Sequence, residues 1–349
     1  MQGKKIIGEK ILSWYDTQNK ELPWRGEKDP YRVWISEVVL QQTRVEQGRS
    51  YYERLIKAFP TVHALADAES DKVLLLWQGL GYYSRALNLH KTAKLVANSF
   101  GGEFPRTLKQ LQELPGIGRY TSAAIASICF DEKIPAVDGN FYRVLSRLLL
   151  DDTDISNANA HSYFLSLAQE IMPDKRPGDF NQAMMDLGRE VCKKSNPLCP
   201  ECPVNANCFA YELGKQSEYP KKSKKTKVLK ESLDYYFIFS EGYFLISQRD
   251  ESGIWKKLYE LPRTIEKELK KQIKNVELLE HSLSHRKLTL SINFIELPNR
   301  EELEAYARKN QFNLLAIRES NSKSFPKPLE RFLKKQMDSE ALRGLSENK

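Results

Sequence analysis

The sequence predicts a multidomain protein: an all-α region carrying a four-cysteine loop, then a basic linker, then a small α+β domain. Three observations lead there. Apolar residues recur at helical spacing, with short breaks, through the first 213 residues. Four of the five cysteines fall between positions 192 and 208. After a lysine-rich stretch the pattern turns to short, partly alternating runs. At 349 residues the chain has room for about two domains of ~100–200 residues each. A 41% hydrophobic content supplies their cores and excludes a globally disordered chain.

Taken in order, Ile7, Ile11, Leu12 and Trp14 mark an opening amphipathic helix. Val33 to Leu40 is apolar-rich, interrupted by Ser36 and Glu37. Tyr51, Tyr52, Leu55, Ile56 and Phe59 share one face of a helix that Pro60 stops. Asp71-Lys72-Val73-Leu74 opens another, and Gly79, Gly81 and Tyr82-Tyr83 break the chain before Arg85–Phe100. Ala123–Ile128 and Val144–Leu150 read as buried helices. The region 1–213 is therefore helical. Residues 214–232 hold Lys215, Lys221, Lys222, Lys224, Lys225, Lys227 and Lys230 and read as an exposed linker. In 233–344, strands at Tyr235–Ser240 and Tyr243–Ser247 flank the turn Glu241-Gly242. A further strand follows at Leu288–Phe294, with polar helices at 263–275 and 328–344.

Fifty-four Lys and Arg against 46 Asp and Glu give a net charge of +8, which suits nucleic acid or an anionic membrane surface. No run approaches the ~18 apolar residues that span a bilayer. The start, Met1-Gln2-Gly3-Lys4-Lys5, lacks the apolar segment of a secretory signal, so an intracellular protein with no membrane partner is expected.

Cys192, Cys199, Cys202 and Cys208 are separated by six, two and five residues. Four thiolates at such spacing suit tetrahedral zinc or the four corners of a [4Fe–4S] cluster. Lys193 and Lys194 beside them read either as a DNA-contacting surface or as a solvated pair. In Leu114-Pro115-Gly116-Ile117-Gly118-Arg119-Tyr120-Thr121, Gly116 and Gly118 make a tight turn between helices. Arg119 opens the second helix, whose free amides suit a phosphate. The turn's carbonyls suit a monovalent cation bridging to that phosphate. This is a helix–hairpin–helix DNA-binding signature, and its glycine spacing is not that of a P-loop.

Together these blocks resemble the MutY-type adenine DNA glycosylases of the endonuclease III-like, helix–hairpin–helix superfamily. The matching segments are Pro23-Trp24-Arg25, Trp34–Thr43, Trp77–Tyr83, the hairpin, Val137-Asp138-Gly139-Asn140, Phe180–Gly188 and the cysteine loop. They cover most of residues 20–213, in order. Downstream, Gly253–Pro262 matches a family segment, with Lys256-Lys257 where a glycine pair is usual. Leu283-Ser284-His285 matches its 8-oxoguanine loop, with Leu283 in place of phenylalanine. The C-terminal fold so implied is Nudix-like, without the glutamate-rich hydrolase signature.

The resemblance implies hydrolytic removal of adenine paired with 8-oxoguanine or guanine in duplex DNA, by a functional monomer in the cytoplasm, associated with the nucleoid. It implies [4Fe–4S] rather than zinc. Glu37 would protonate adenine N7 and Asp138 would stabilise the oxocarbenium-like sugar. Asp138 also reads as the N-cap of the next helix. Asn140 would hold the nucleotide or Asp138. Tyr120 stands where bifunctional relatives carry a Schiff-base lysine, which implies a mainly monofunctional enzyme. Gln42 and Tyr82 would open the duplex, against readings as a helix-face amide and a core aromatic. Ser284 and His285 would read 8-oxoguanine. The competing functions are a noncatalytic mismatch-recognition protein and a thymine/uracil or oxidised-pyrimidine glycosylase.

Overall fold

The computed structural model describes residues 2–18, 21–223 and 228–347. Lys224, Lys225 and Lys227 of the expected linker lie outside the described residues. Contacts divide the chain into two compact units, Met1–Asp67 with Asn88–Lys225 and Ala68–Leu87 with Thr226–Lys349.

In the first unit, helix boundaries follow from local chemistry. Asp29 accepts a bond from the Tyr31 amide and Pro30 occupies the first turn of the Pro30–Leu40 helix. Tyr31, Val33, Trp34, Ile35, Val38 and Val39 are all buried, so this helix is surrounded by protein. It packs on the helices Val45–Ala58 and Arg119–Phe130; Pro177–Glu190 packs on Arg119–Phe130 and on Gly139–Leu149, which in turn packs on Ala160–Ile171. The opening helix Gln2–Thr17 contributes Ile7, Ile11 and Leu12 to a core shared with Phe141, Leu145, Phe164, Phe180 and Met184. Burying such side chains stabilises the fold by about 1.5–3 kcal/mol each.

Two expectations change here. Residues 215–223 are not a bare tether. Tyr219 is buried, its carbonyl accepts from Arg147 Nε at 3.2 Å, and its hydroxyl donates to Asp152 at 3.0 Å. Ile155 and Ser223 amides add bonds to Lys221 O and Asp154 Oδ2, both at 3.0 Å. Residues 68–87, helical at Ser70–Trp77 as the periodicity has it, group by contacts with the C-terminal residues rather than with the rest of the helical region. Asp71 binds Tyr259 and Lys323, and no periodicity announces that pairing.

The C-terminal part of the second unit is a six-stranded mixed sheet: β1 Leu229–Ser240, β2 Tyr243–Gln248, β3 Tyr259–Glu260, β4 Asn275–Ser282, β5 Arg286–Glu296 and β6 Asn313–Ala316. The order is β3-β2-β1-β5-β4, with β6 on β2. β1 and β5 run parallel from Leu229↔Arg286 to Phe239↔Glu296, and β4 returns antiparallel on β5. One core gathers Tyr236, Ile238, Leu245, Ile295 and Leu303, the last from the helix Arg300–Asn310. Phe237, Phe294 and Phe332 pack edge to face in a second. The expected helix at 263–275 is only Lys267–Lys270, because β4 begins at Asn275 and its first residue pairs with Phe294. The terminal helix is Lys327–Glu347. Among the described residues no helix is long and apolar enough to cross a membrane.

Candidate active site

Within the first unit, Val33, Ser36, Glu37 and Leu40 fall on one stripe of their helix and line a cleft of about 540 Å³. That size is within the ~300–1,000 Å³ of small-molecule pockets and suits an extruded base. Gln182, Met185, Asp186 and Arg189, spaced the same way on the Pro177–Glu190 helix, line it too. Tyr120, Asp138 and Asn140 enter from two further chain segments, and Gln42 joins them from the residue pair after the Glu37 helix.

Glu37 is 8% exposed. A carboxylate there has lost most of its water, and burial pushes its pKa up to about 7. The Tyr120 hydroxyl donates to Glu37 Oε2 at 2.7 Å and pulls the other way, while the charge of Asp138 adds to the rise. The same hydroxyl lies 2.7 Å from the Met185 sulfur. Glu37 can therefore hold a proton near neutral pH in a cleft that admits a base, as a general acid must.

Asp138 caps the Gly139–Leu149 helix. Its Oδ1 accepts from the Asn140 and Phe141 amides at 2.8 and 3.0 Å, and its Oδ2 from Asn140 Nδ2 at 2.7 Å. Burial pushes its carboxyl up, and these three bonds hold the rise back. The capping expectation is met, and the carboxyl still lines the cleft. Asn140 is itself fixed: Arg143 Nη2 donates to its Oδ1 at 2.8 Å and to Gly188 O at 2.7 Å. Gly188 is glycine for a steric reason. A Cβ there would lie 2.6 Å from Asn140 Cβ and 2.8 Å from Asn140 Oδ1.

Arg25 is held by local partners. It donates to Asp186 Oδ2 at 2.6 Å, to the Tyr15 hydroxyl at 2.5 Å and to Gln182. Asp186, 4% exposed, also accepts from Arg189 at 2.8 Å, so its buried charge is doubly paired.

At the hairpin, Gly116 has φ +79° and faces Asn88, where a Cβ would sit 2.6 Å from Asn88 Cβ. Ile117 anchors the turn in the core while Gly116, Gly118 and Arg119 stay exposed. The Pro115 carbonyl already accepts from Thr92 Oγ1 at 2.7 Å. The four cysteines line one small cavity with Arg147, Tyr211 and Gln216. Arg147 ties the loop by donating to Lys193 O at 2.7 Å and Lys194 O at 3.1 Å, and its Nη1 lies 3.4 Å from Cys192 Sγ. The Lys194 side chain is exposed and that of Lys193 half-buried.

The remaining sequence-selected residues belong to the second unit. Tyr82 is 46% exposed, which excludes the core-aromatic reading, and it adopts φ +46°, costly for a non-glycine residue. Arg85 braces its loop, stacking 5.0 Å from Trp77 and 5.8 Å from Tyr82 and donating to the carbonyls of Leu80 and Gly81 at 3.3 Å. Ser284 and His285 are the exposed tip of the β4–β5 hairpin, closed by Leu283 N donating to Arg286 O at 2.8 Å. Ser284 Oγ lies 3.4 Å from His285 Nδ1.

Residues 35–170 match the HhH-GPD superfamily of base excision DNA repair proteins, and residues 235–335 match the NUDIX domain. The adenine DNA glycosylase of Buchnera aphidicola subsp. Baizongia pistaciae is 37% identical over 301 residues, 82% of this chain and 85% of that protein. The chain belongs to the adenine DNA glycosylase family. Its Mus musculus relative is 45% identical over 211 residues, 58% of this chain and 41% of that longer protein. A solved thermostable thymine-DNA glycosylase superposes with a TM-score of 0.54 at 28% identity, over 61% of this chain and 98% of its own. The helical glycosylase fold followed by a Nudix-like domain is thus as the sequence led one to expect. That scaffold alone does not choose the base, since a thymine glycosylase shares it.

Sequence reading gave no role to Gln182, Met185, Asp186 or Arg189 of this family member. A signal was present: Gln182, Asp186 and Arg189 place polar groups at i, i+4 and i+7 on a helix that also carries Phe180, Ala183, Met184 and Leu187.

Proposed function

We propose that the chain hydrolyses the N-glycosidic bond of adenine paired with 8-oxoguanine or guanine in duplex DNA, as a monomer acting on the nucleoid in the cytoplasm. The observation that carries this reading is the buried Glu37 carboxyl, held by Tyr120 and beside Asp138 in a base-sized cleft. Glu37 protonates N7 of the extruded adenine and turns a poor leaving group into a neutral one. Asp138 remains the anion opposite the cationic sugar, its lone pairs fixed by Asn140 and the helix amides. Water then completes hydrolysis. Tyr120 offers no amine for an imine, so base loss precedes strand breakage. Gln42 and Tyr82 open the duplex, and the hairpin amides at Gly116, Gly118 and Arg119 bind its phosphate, assisted by a monovalent cation at the turn carbonyls. Lys193 and Lys194 add a basic contact. Region 233–344 is the 8-oxoguanine-recognition domain, through Ser284 and His285.

Single-turnover base release tests this on duplexes with A opposite 8-oxoguanine, A opposite G, T opposite G, and oxidised pyrimidines, with and without alkali. Adenine should be released first from the 8-oxoguanine pair, with strand breaks appearing only after alkali. Preferential release of thymine would favour the activity named for its structural neighbour.

Cys192, Cys199, Cys202 and Cys208 would hold a [4Fe–4S] cluster, which supplies a structural staple for the loop and no acid–base step. Four soft donors around one cavity fit that group. Anaerobically purified protein should contain about four irons per chain. Iron and visible absorption should vanish together in Cys199→Ser or Cys202→Ser. One tightly bound zinc without sulfide would reject the assignment.

A further inference from the structure

The helix Ser70–Trp77 is tied by hydrogen bonds at each end. Its C-terminal end runs into the Gly79–Tyr82 loop, where Trp77 Nε1 donates to Gly81 O at 3.0 Å. At its N-terminal end, Asp71 lies in the first turn and its carboxylate takes three donors from the C-terminal part of the same unit. The Tyr259 hydroxyl donates to Oδ2 at 2.8 Å, Lys323 Nζ to Oδ2 at 3.1 Å, and Gln248 Nε2 to Oδ1 at 3.3 Å. The donors are braced in turn. Lys323 Nζ lies 4.7 Å over the Tyr259 ring and 3.3 Å from its hydroxyl. The Tyr259 amide donates to Ser324 O at 2.8 Å, and Gln248 also holds Lys257 O at 3.0 Å. Three separate chain segments thus converge on one carboxylate.

A surface ion pair alone does little for stability, but a network fixes geometry. Ala68–Leu87 clusters with Thr226–Lys349, so the Tyr82 loop and the Ser284–His285 hairpin belong to one compact body. We propose that Asp71 is a positioning residue that makes the Tyr82 loop part of the C-terminal unit, so that reading of the base opposite adenine and insertion of Tyr82 are coupled. This rests on the roles given above to Tyr82, Ser284 and His285.

The test uses the full chain in Asp71→Ala, Lys323→Met, Tyr259→Phe, the double Asp71→Ala/Lys323→Met, and the swap Asp71→Lys/Lys323→Asp, with Ser284→Ala/His285→Ala as control. Single-turnover rates are measured for A opposite 8-oxoguanine and A opposite G. The preference for the 8-oxoguanine duplex should fall about 3-fold in Asp71→Ala and Lys323→Met. The double variant should fall no further than the worse single, and the swap should recover part of the loss. Tyr259→Phe removes a single bond and should show a smaller fall, which keeps the test open if a larger change fails to fold. An unchanged preference, or equal loss on both duplexes without recovery in the swap, overturns the proposal. If only the control loses preference, the tie fails and the lesion-loop assignment stands. If the tie variants lose preference and the control does not, the tie stands and the opposite base is read elsewhere.

Discussion

Glu37→Gln should bind duplex DNA normally and release adenine about 10²–10⁴-fold more slowly in single turnover, the range that a positioned general acid contributes. An amide fills the same space and still accepts the Tyr120 bond, but it has no proton to give N7. The same residue sets a pH limb. A general acid works protonated, and burial pushes the Glu37 carboxyl up to about 7. The rate it controls should be flat below that pH and fall about tenfold per unit above it. Tyr120→Phe removes a bond that favours the carboxylate, so the midpoint of this limb should move upward. Near-normal excision by folded Glu37→Gln, or a limb unmoved by Tyr120→Phe, would contradict the assignment.

Asp138→Asn should slow base release by roughly 10²–10³-fold, as loss of a fixed group facing developing charge does. Its affinity for DNA should change far less. The asparagine keeps an oxygen to cap the Gly139–Leu149 helix, where Asp138 now accepts two amides, so folding should survive. What is lost is the anion, together with the bond that Asp138 Oδ2 accepts from Asn140 Nδ2. Rates at saturating DNA decide the matter: recovery there would make Asp138 a binding residue rather than a group acting in the transition state.

Much of this site was legible because Tyr120, Asp138 and Asn140 sit at helix starts, where short motifs speak, and because Glu37 is a carboxylate inside an apolar run. Asp138-Gly139-Asn140 is both a cap and half of the carboxyl pair. The glycines of the hairpin announce a turn. The residues missed depend on what lies across the fold. Asp186 looks like a helix-surface acid until Arg25, 161 positions away in sequence, is seen to pair with it. Strand β4 was missed because Val276 and Leu278 face solvent while Glu277 and His281 are partly covered, the reverse of the usual alternation. The Arg300–Asn310 helix buries only Leu303 and Ala307, so its periodicity is faint, although Asn299 capping the Glu302 amide was a readable start signal. Asp71 reads from the sequence only as a residue that opens a helix, and nothing local announces its bonds to Tyr259 and Lys323.

Gly188 carries a consequence for inherited variation. It does not line the cleft, and glycine to alanine is the mildest of exchanges in most helices. Here one added methyl would occupy the space of Asn140, whose amide holds Asp138. Variation at this position should therefore behave as a silent-looking loss of function: protein made, folded and bound to DNA, with lesions left in place. In a cell the outcome would be a mutator phenotype traceable to a residue that does not line the cleft.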